Sequence, residues 1–156
     1  MKPFFNTPER IAALAASAEA WLGTPWCANS AARGPRGGVA CHNLPRAIYL
    51  ESGFLSESFP ALVGDPNPSR FSRVSAMETW LDARPEFARL TGFELAQLQP
   101  GDLIGLSIGN CVNHLGVVLP GGDFIHVLMR KNTDLDQYAT PPWSQRLTAV
   151  WRPVES

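Results

Sequence analysis

The stretch Gly37-Gly38-Val39-Ala40-Cys41-His42-Asn43-Leu44-Pro45 decides the fold, because it places a cysteine between a glycine-rich loop and a helix. The run from Leu44 through Glu51 to Gly53 has helical length, with Gly53 just past its C-terminus. Pro45 lacks an N–H and fits only in a first helical turn, which predicts a helix beginning close to His42. Cys41 then lies at the positive end of the helix dipole, where the thiolate is favoured. Cys41 is therefore a candidate nucleophile, and the alternative is a buried cysteine that packs like a small apolar residue.

Composition limits what can surround this cysteine. A chain of 156 residues with 45% hydrophobic residues is long enough for one domain with a real core. Thirteen basic and fourteen acidic residues give a net charge of −1, and no run of either sign suggests nucleic acid or a membrane as a partner. Three cysteines are an odd number, which argues against a disulfide framework and predicts at least one free thiol.

The N-terminal segment Met1–Asn6 lacks the uninterrupted apolar core of a signal peptide. No stretch of the sequence is long and apolar enough to span a bilayer. We therefore expect a protein that is made without a standard export signal and is cytoplasmic as made.

Helix caps, glycines and apolar spacing predict the elements around the site. A first helix starts at Thr7 and Pro8 and ends at Gly23, and a capping box at Ser75–Glu78 opens a short helix. Further predictions are a second short helix over Pro85–Leu90, a turn over 98–102 and a buried strand over Leu103–Leu106. The serine- and proline-rich loop Phe54–Arg73 carries no chemical motif.

Two apolar runs, His114–Leu119 and Asp123–Met129, form a predicted hairpin around Pro120-Gly121-Gly122. If Leu119 pairs with Asp123, one face of the hairpin is entirely apolar. The other face carries His114, Gly116, Val118, Phe124, His126 and Leu128. His126 then lies opposite Gly116, the diagonal neighbour of His114, at roughly 7 to 8 Å between backbones. Two imidazole side chains can bridge that separation, and Gly116 leaves room between them.

A cysteine nucleophile needs a base that takes its proton, and a histidine base needs a third group that fixes its tautomer and orientation. Cys41, His114 and His126 can fill these roles. Either histidine taken alone is more simply interpreted as a hydrogen-bonded, partly buried side chain. Their shared face, together with a cysteine at a helix start, favours a catalytic site.

Several segments, in the same order, resemble the NlpC family of papain-like bacterial cell-wall peptidases. They are Leu22-Gly23-Thr24-Pro25-Trp26, Gly38-Val39-Ala40-Cys41, Leu98-Gln99-Pro100-Gly101-Asp102-Leu103, His114-Leu115-Gly116-Val117-Val118 and Phe124-Ile125-His126. The missing signal and the basic, aromatic ending 143–153 look most like the compact versions found among phage or gene-transfer-agent tail proteins.

The resemblance implies an α+β, papain-like domain over residues 1–156, with an antiparallel half-barrel sheet packed on the nucleophile-bearing helix. It implies hydrolysis of amide bonds in peptidoglycan stem peptides, commonly at D-glutamyl-diaminopimelate, with no metal or organic cofactor. By position, Cys41 is the nucleophile, His114 the general base and His126 the orienting residue, and the Cys41 N–H is the expected oxyanion donor. Phage-tail or secretion-device proteins are the implied partners for delivery to the cell wall.

The chain departs from the family pattern beside the nucleophile. The family usually has Asp-Cys-Ser-Gly where this chain has Ala40-Cys41-His42-Asn43, and a tyrosine where this chain has Trp26. Trp26, His42 and Gly116 are therefore candidate substrate-binding residues. The alternatives are a core position for Trp26 and a solvent-facing side chain for His42.

Other functions fit the same residues. A zinc site is conceivable from Cys27, Cys41, His42, Cys111 and His114, although the sequence has no Cys-x-x-Cys pair. A non-catalytic assembly module of a phage tail would keep the fold and tolerate the altered residues. An acyltransferase or deamidase would use the same three residues, because the acyl-enzyme step is common to all these reactions.

Overall fold

The computed structural model describes residues 1–61 and 75–156, so residues 62–73 of the predicted loop lie outside the described residues. The helices are α1 (Pro8–Trp21), α2 (Asn43–Glu51), α3 (Ala76–Asp82) and α4 (Trp143–Arg146). The strands are β1 (Ala31–Ala32), β2 (Gly38–Val39), β3 (Phe87–Arg89), β4 (Leu103–Ser107), β5 (Val112–Val118), β6 (Asp123–His126), β7 (Asp134–Gln137) and β8 (Leu147–Pro153). Strands β3 to β8 form one antiparallel sheet of six strands in the order β3-β8-β4-β5-β6-β7.

The helix starts confirm the predicted caps Thr7 and Ser75, but the Glu78 carboxylate accepts from Arg89 at 2.7 Å instead of closing a capping box. The Thr7 hydroxyl caps α1, and the Ser75 hydroxyl caps α3 by accepting a hydrogen bond from the N–H of Glu78 at 3.1 Å. Helix α2 begins at Asn43, immediately after His42, as the position of Pro45 requires. Cys41 therefore precedes the first turn of α2. No helix in the described ranges is long and apolar enough to cross a membrane.

The hairpin of β5 and β6 has the predicted register. The Leu119 N–H donates to the Asp123 carbonyl at 2.8 Å, and Val117 pairs with Ile125. The two histidines consequently share a face, as the three-residue loop predicts. Strand β6 ends at His126, earlier than expected, and Met129 is exposed beyond it.

The prediction of a short helix over Pro85–Leu90 is wrong. Residues 87–89 form β3, which pairs with β8 through Phe87 opposite Pro153 and Arg89 opposite Trp151. A helix of so few residues is only marginally stable by itself. Pairing with β8 instead gives the backbone of residues 87–89 its hydrogen bonds and buries the Phe87 ring. Tertiary contact therefore overrides the local pattern.

The two faces of the sheet belong to two separate apolar clusters. The first cluster, shared with α1 and α2, includes Leu14, Trp21, Ile48, Tyr49, Leu115, Val117 and Ile125, and the half-buried Cys41 packs against it. The second cluster includes Ile104, Val118, Phe124, Trp143 and Val150. Helix α4 covers the face that carries His114 and His126, because Trp143 contacts both rings.

Candidate active site

The imidazole rings of His114 and His126 form a buried, hydrogen-bonded pair. Nε2 of His114 lies 2.8 Å from Nδ1 of His126. The side chains reach each other diagonally across β5 and β6, and only 4% and 2% of the two residues is exposed. The predicted meeting of the two histidines is confirmed.

Asp136 extends this pair into a chain of three side chains, and it is absent from the site predicted from the sequence. Its Oδ2 lies 2.7 Å from Nε2 of His126. Asp136 is on β7, directly opposite Phe124 and diagonal to His126. The alternation of acidic residues about Leu135 was the available signal, but aspartate is uncommon in strands, so the segment does not stand out as one.

Trp143 and Phe124 enclose the imidazole pair. The Trp143 ring lies 4.8 Å from the ring of His126 and 6.1 Å from that of His114, measured between centroids. Phe124 packs on His126 at 4.5 Å. Aromatic walls of this kind exclude water and hold the two rings in fixed orientations.

Cys41 reaches the sheet beside His114. The backbone N–H groups of Leu115, Cys41 and His42 lie close enough to its sulfur to favour the thiolate. In an antiparallel sheet, the N–H groups of every second residue of a strand point to the same side. The Leu119 N–H donates to Asp123 at the start of β6, so the Leu115 N–H, four residues earlier, also points to the β6 side. The β5–β6 pairing ends at Val117 and Ile125, so no strand of the described residues pairs with the Leu115 N–H on this side. The Cys41 sulfur lies next to this N–H, just beyond the end of the pairing.

The structure brings Cys41 next to the backbone of His114–Leu115 without joining it to the imidazole. In residues 1–61 and 75–156, no hydrogen bond connects the thiol with the ring of His114. Catalytic hydrogen bonds are often long before substrate binds, so this geometry is compatible with a resting enzyme.

Burial controls the ionisation of this site. It raises the pKa of the Cys41 thiol to about 11, although the three N–H groups oppose the increase. Burial, together with the neighbouring His126, lowers the pKa of His114 to about 3. At neutral pH, the resting pair is therefore a thiol and a neutral imidazole.

This result corrects the expectation that the helix start makes Cys41 a thiolate. The amide groups at the start of α2 do favour the anion, as expected. At Cys41, the loss of hydration of the buried sulfur has a larger effect on the pKa than these amide groups. For Cys41 to act as a nucleophile at neutral pH, a base would have to take its proton.

The candidate substrate-binding residues have different environments. Trp26 is half-buried against the first apolar cluster, and its backbone N–H donates to the Lys131 carbonyl at 2.8 Å. His42 is half-buried and lines a largely apolar cavity with Arg46, instead of pointing into solvent. Gly116 is buried, and a Cβ there would lie 2.6 Å from the Phe124 ring, so the space it leaves is taken by Phe124 and not by the imidazoles.

The cysteines and histidines do not assemble a metal centre in the part of the chain that the structure describes. No group of three or more His, Cys, Asp or Glu side chains there is placed to hold an ion. Cys27 is exposed, and all three cysteines are free thiols. The donor set therefore does not support the zinc alternative.

Solved structures share this architecture. An NLP/P60-family lipoprotein-like protein from Staphylococcus aureus superposes with a TM-score of 0.65 and 19% identity over 99% of this chain, and this chain spans 44% of that one. RipB from Mycobacterium tuberculosis, a peptidoglycan hydrolase, superposes with a TM-score of 0.61 and 14% identity. The match covers 99% of this chain and 69% of RipB. Such low identities show a common fold alone.

A structural neighbour of different activity has the same fold. RipD from Mycobacterium tuberculosis, described as a non-catalytic NlpC/p60 domain protein adapted to peptidoglycan binding, gives a TM-score of 0.56 and 14% identity over 94% of this chain and 98% of that one. The fold therefore accompanies both hydrolysis and binding.

Comparison with curated proteins gives no match. The sequence model of the NlpC/P60 family matches residues 70–152, a range that includes the β5–β6 hairpin and more than half of the chain. This match and the shared papain-like α+β fold agree with the hairpin that carries the buried imidazole pair, and the chain belongs to the NlpC/P60 family.

Proposed function

We propose that this protein is a cysteine peptidase or amidase that hydrolyses amide bonds in peptidoglycan stem peptides, of the D-glutamyl-diaminopimelate type. Cys41 is the nucleophile, His114 the general base and His126 the residue that orients His114. The observation that carries the proposal is the buried 2.8 Å contact between the imidazoles of His114 and His126, next to a thiol that lies beside the Leu115 amide.

The proposed reaction begins with proton transfer from the Cys41 thiol to His114 as the sulfur attacks the carbonyl carbon. The N–H of Cys41 at the start of α2 stabilises the oxyanion. The C–N bond then breaks, the leaving amine takes the proton from His114, and a thioester remains on Cys41. Water attacks the thioester and gives its proton to His114, which returns it to the departing sulfur.

The electrostatics support general-base catalysis instead of a preformed ion pair. With the pKa of the thiol at about 11 and that of His114 at about 3, proton transfer before attack is strongly uphill. An amide carbonyl that accepts the sulfur during the transfer avoids a free thiolate, because the negative charge passes to the oxyanion.

The test uses purified wild-type protein and the Cys41→Ala variant with soluble peptidoglycan fragments, whose products are read by mass spectrometry. We expect new stem-peptide termini from the wild type and none from Cys41→Ala. Cys27→Ala is the matched control, because it removes an exposed thiol and should retain activity. Absence of product from the wild type, or equal product from Cys41→Ala, would overturn the proposal.

A second candidate function is binding of peptidoglycan without hydrolysis. The protonated thiol and the missing bond between Cys41 and His114 favour it, and RipD is described as having such a function. Co-sedimentation with insoluble peptidoglycan separates the candidates. Binding by the wild type without any released fragment would support this second function over hydrolysis.

The proposal extends to delivery by a phage-like tail or a secretion device, on the resemblance of the sequence to compact tail-type proteins. Tail or device proteins recovered with the tagged protein from its natural host would support it. Recovery of the protein alone, in the cytoplasm and throughout growth, would contradict it.

A further inference from the structure

Asp136 makes a hydrogen bond that fixes where the protons of the imidazole pair lie. A carboxylate oxygen only accepts, so the 2.7 Å contact between Oδ2 and His126 requires a proton on Nε2 of His126. The neutral ring of His126 then accepts at Nδ1. The 2.8 Å contact with His114 accordingly requires a proton on Nε2 of His114.

This sequence of donors and acceptors leaves Nδ1 of His114 unprotonated. A neutral imidazole has one donor nitrogen and one acceptor nitrogen, so the tautomer of one ring determines that of its hydrogen-bonded neighbour. In the opposite arrangement, His126 would donate from Nδ1 and present a bare Nε2 to the carboxylate, which repels it. Asp136 therefore selects one of two arrangements of the pair.

The position of Asp136 suits this role. Its side chain is 46% exposed and lies on β7, the last strand in the sheet order, while His126 is buried. The charged groups that face His126 are Asp134 and Asp136, both from β7, and His114 faces it from β5. Asp134 lies directly opposite His126, but its carboxylate accepts from the Leu135 N–H at 2.8 Å.

We propose that Asp136 is a positioning residue that acts through His126 to hold His114 in the tautomer with an unprotonated Nδ1, the base that the proposed hydrolysis requires. The inference rests on the proposed function for its catalytic consequence, but the tautomer itself is a property of the free protein. It makes Asp136, His126 and His114 one hydrogen-bonded chain that ends at the unprotonated Nδ1 of His114.

The direct test is a nitrogen NMR measurement of the imidazole rings in the free protein at pH 7. In the wild type, we expect both histidines to be protonated at Nε2 and bare at Nδ1. Asp136→Asn supplies an amide that can donate to Nε2 of His126, so we expect a population with Nδ1 protonated on both rings. Asp136→Ala should give a mixture of the two arrangements, and Asp136→Glu should restore the wild-type arrangement.

Asp134→Asn is the matched control, because it removes the neighbouring charge on the same strand but not the hydrogen bond to His126. It should leave both tautomers unchanged. In hydrolysis assays, kcat should fall about 10- to 100-fold for Asp136→Asn, the range expected when a hydrogen bond to a charged group is lost. For Asp134→Asn, kcat should stay near the wild-type value. KM should change little in either variant, since neither side chain is proposed to bind substrate.

Failure of this inference is distinguishable from failure of the proposed function. Suppose that the wild type hydrolyses peptidoglycan, and that Asp136→Asn and Asp136→Ala show the wild-type tautomers of His114 and His126 and the wild-type kcat. Asp136 then has no positioning role. If the tautomers change in these variants but the wild type cleaves nothing, the hydrogen-bonded chain exists and the assigned reaction is wrong. Thermal unfolding of each variant shows that it is folded, which we expect for substitutions at an exposed side chain of the terminal strand.

Discussion

Nε2 of His114 lies 2.8 Å from Nδ1 of His126, although neither residue is directly opposite the other in the sheet. The contact is diagonal, and the two rings meet against the Phe124 and Trp143 rings. A buried imidazole pair is costly to protonate, because burial penalises the charged form of each ring. The ionisation of the site therefore has measurable consequences in the free protein.

Alkylation of Cys41 should depend on pH as expected for a buried thiol with a pKa of about 11. With Cys27 and Cys111 replaced by serine, the rate of reaction with iodoacetamide should keep increasing from pH 7 to pH 10. Only the thiolate reacts, and its fraction rises tenfold with each pH unit below the pKa. A rate that is already constant between pH 5 and pH 8 would indicate a preformed thiolate–imidazolium pair and contradict this ionisation.

Acid should destabilise the fold through His114. Its pKa is about 3 in the folded protein against an ordinary value of 6.5, so the unfolded chain binds the proton between these values and the native state does not. The free energy of unfolding should therefore fall as pH decreases below 6.5, by about 2 kcal/mol between pH 7 and pH 5 from this residue.

Denaturant unfolding at the two pH values, in the wild type and in His114→Asn, measures this contribution. The loss of stability between pH 7 and pH 5 should be smaller in His114→Asn by about the same 2 kcal/mol, whatever the variant costs at pH 7. An equal loss in both proteins would show that His114 is not buried as a neutral ring.

Gly116→Ala should destabilise the protein by about 1–3 kcal/mol through overpacking. The added Cβ would lie 2.6 Å from Cδ2 of Phe124 and 3.3 Å from the Ile125 carbonyl oxygen, and neither atom belongs to a flexible side-chain end. Chemical denaturation gives the free energy of unfolding. In a Phe124→Leu background, the same substitution should cost less, since the ring is gone. An identical cost in both backgrounds would mean that Phe124 does not occupy this space.

Local sequence signals were sufficient for the parts of the fold that depend on neighbouring residues. The caps Thr7 and Ser75, the position of Pro45 and the three-residue loop after Leu119 each act within a few residues, and each prediction from them is confirmed. The loop length fixes the register of the hairpin, and the register brings His114 to His126.

The features that sequence alone did not yield depend on distant contacts. Residues 87–89 become a strand because β8 pairs with them, and Asp136 reaches His126 because β7 pairs with β6. The thiol of Cys41 is protonated because the packed protein removes its sulfur from water, an effect that is not encoded near residue 41. Predicting these features requires the assembled sheet.

Steady-state hydrolysis of a purified stem-peptide fragment by Cys41→Ala, His114→Ala and the double variant tests most directly whether the thiol and the imidazole act as one unit. We predict that each single variant loses activity by about 1,000-fold or more and that the double variant is no slower than the singles, because residues of one catalytic unit are strongly non-additive. Losses that multiply in the double variant, or a Cys41→Ala variant that retains wild-type activity, would contradict the account.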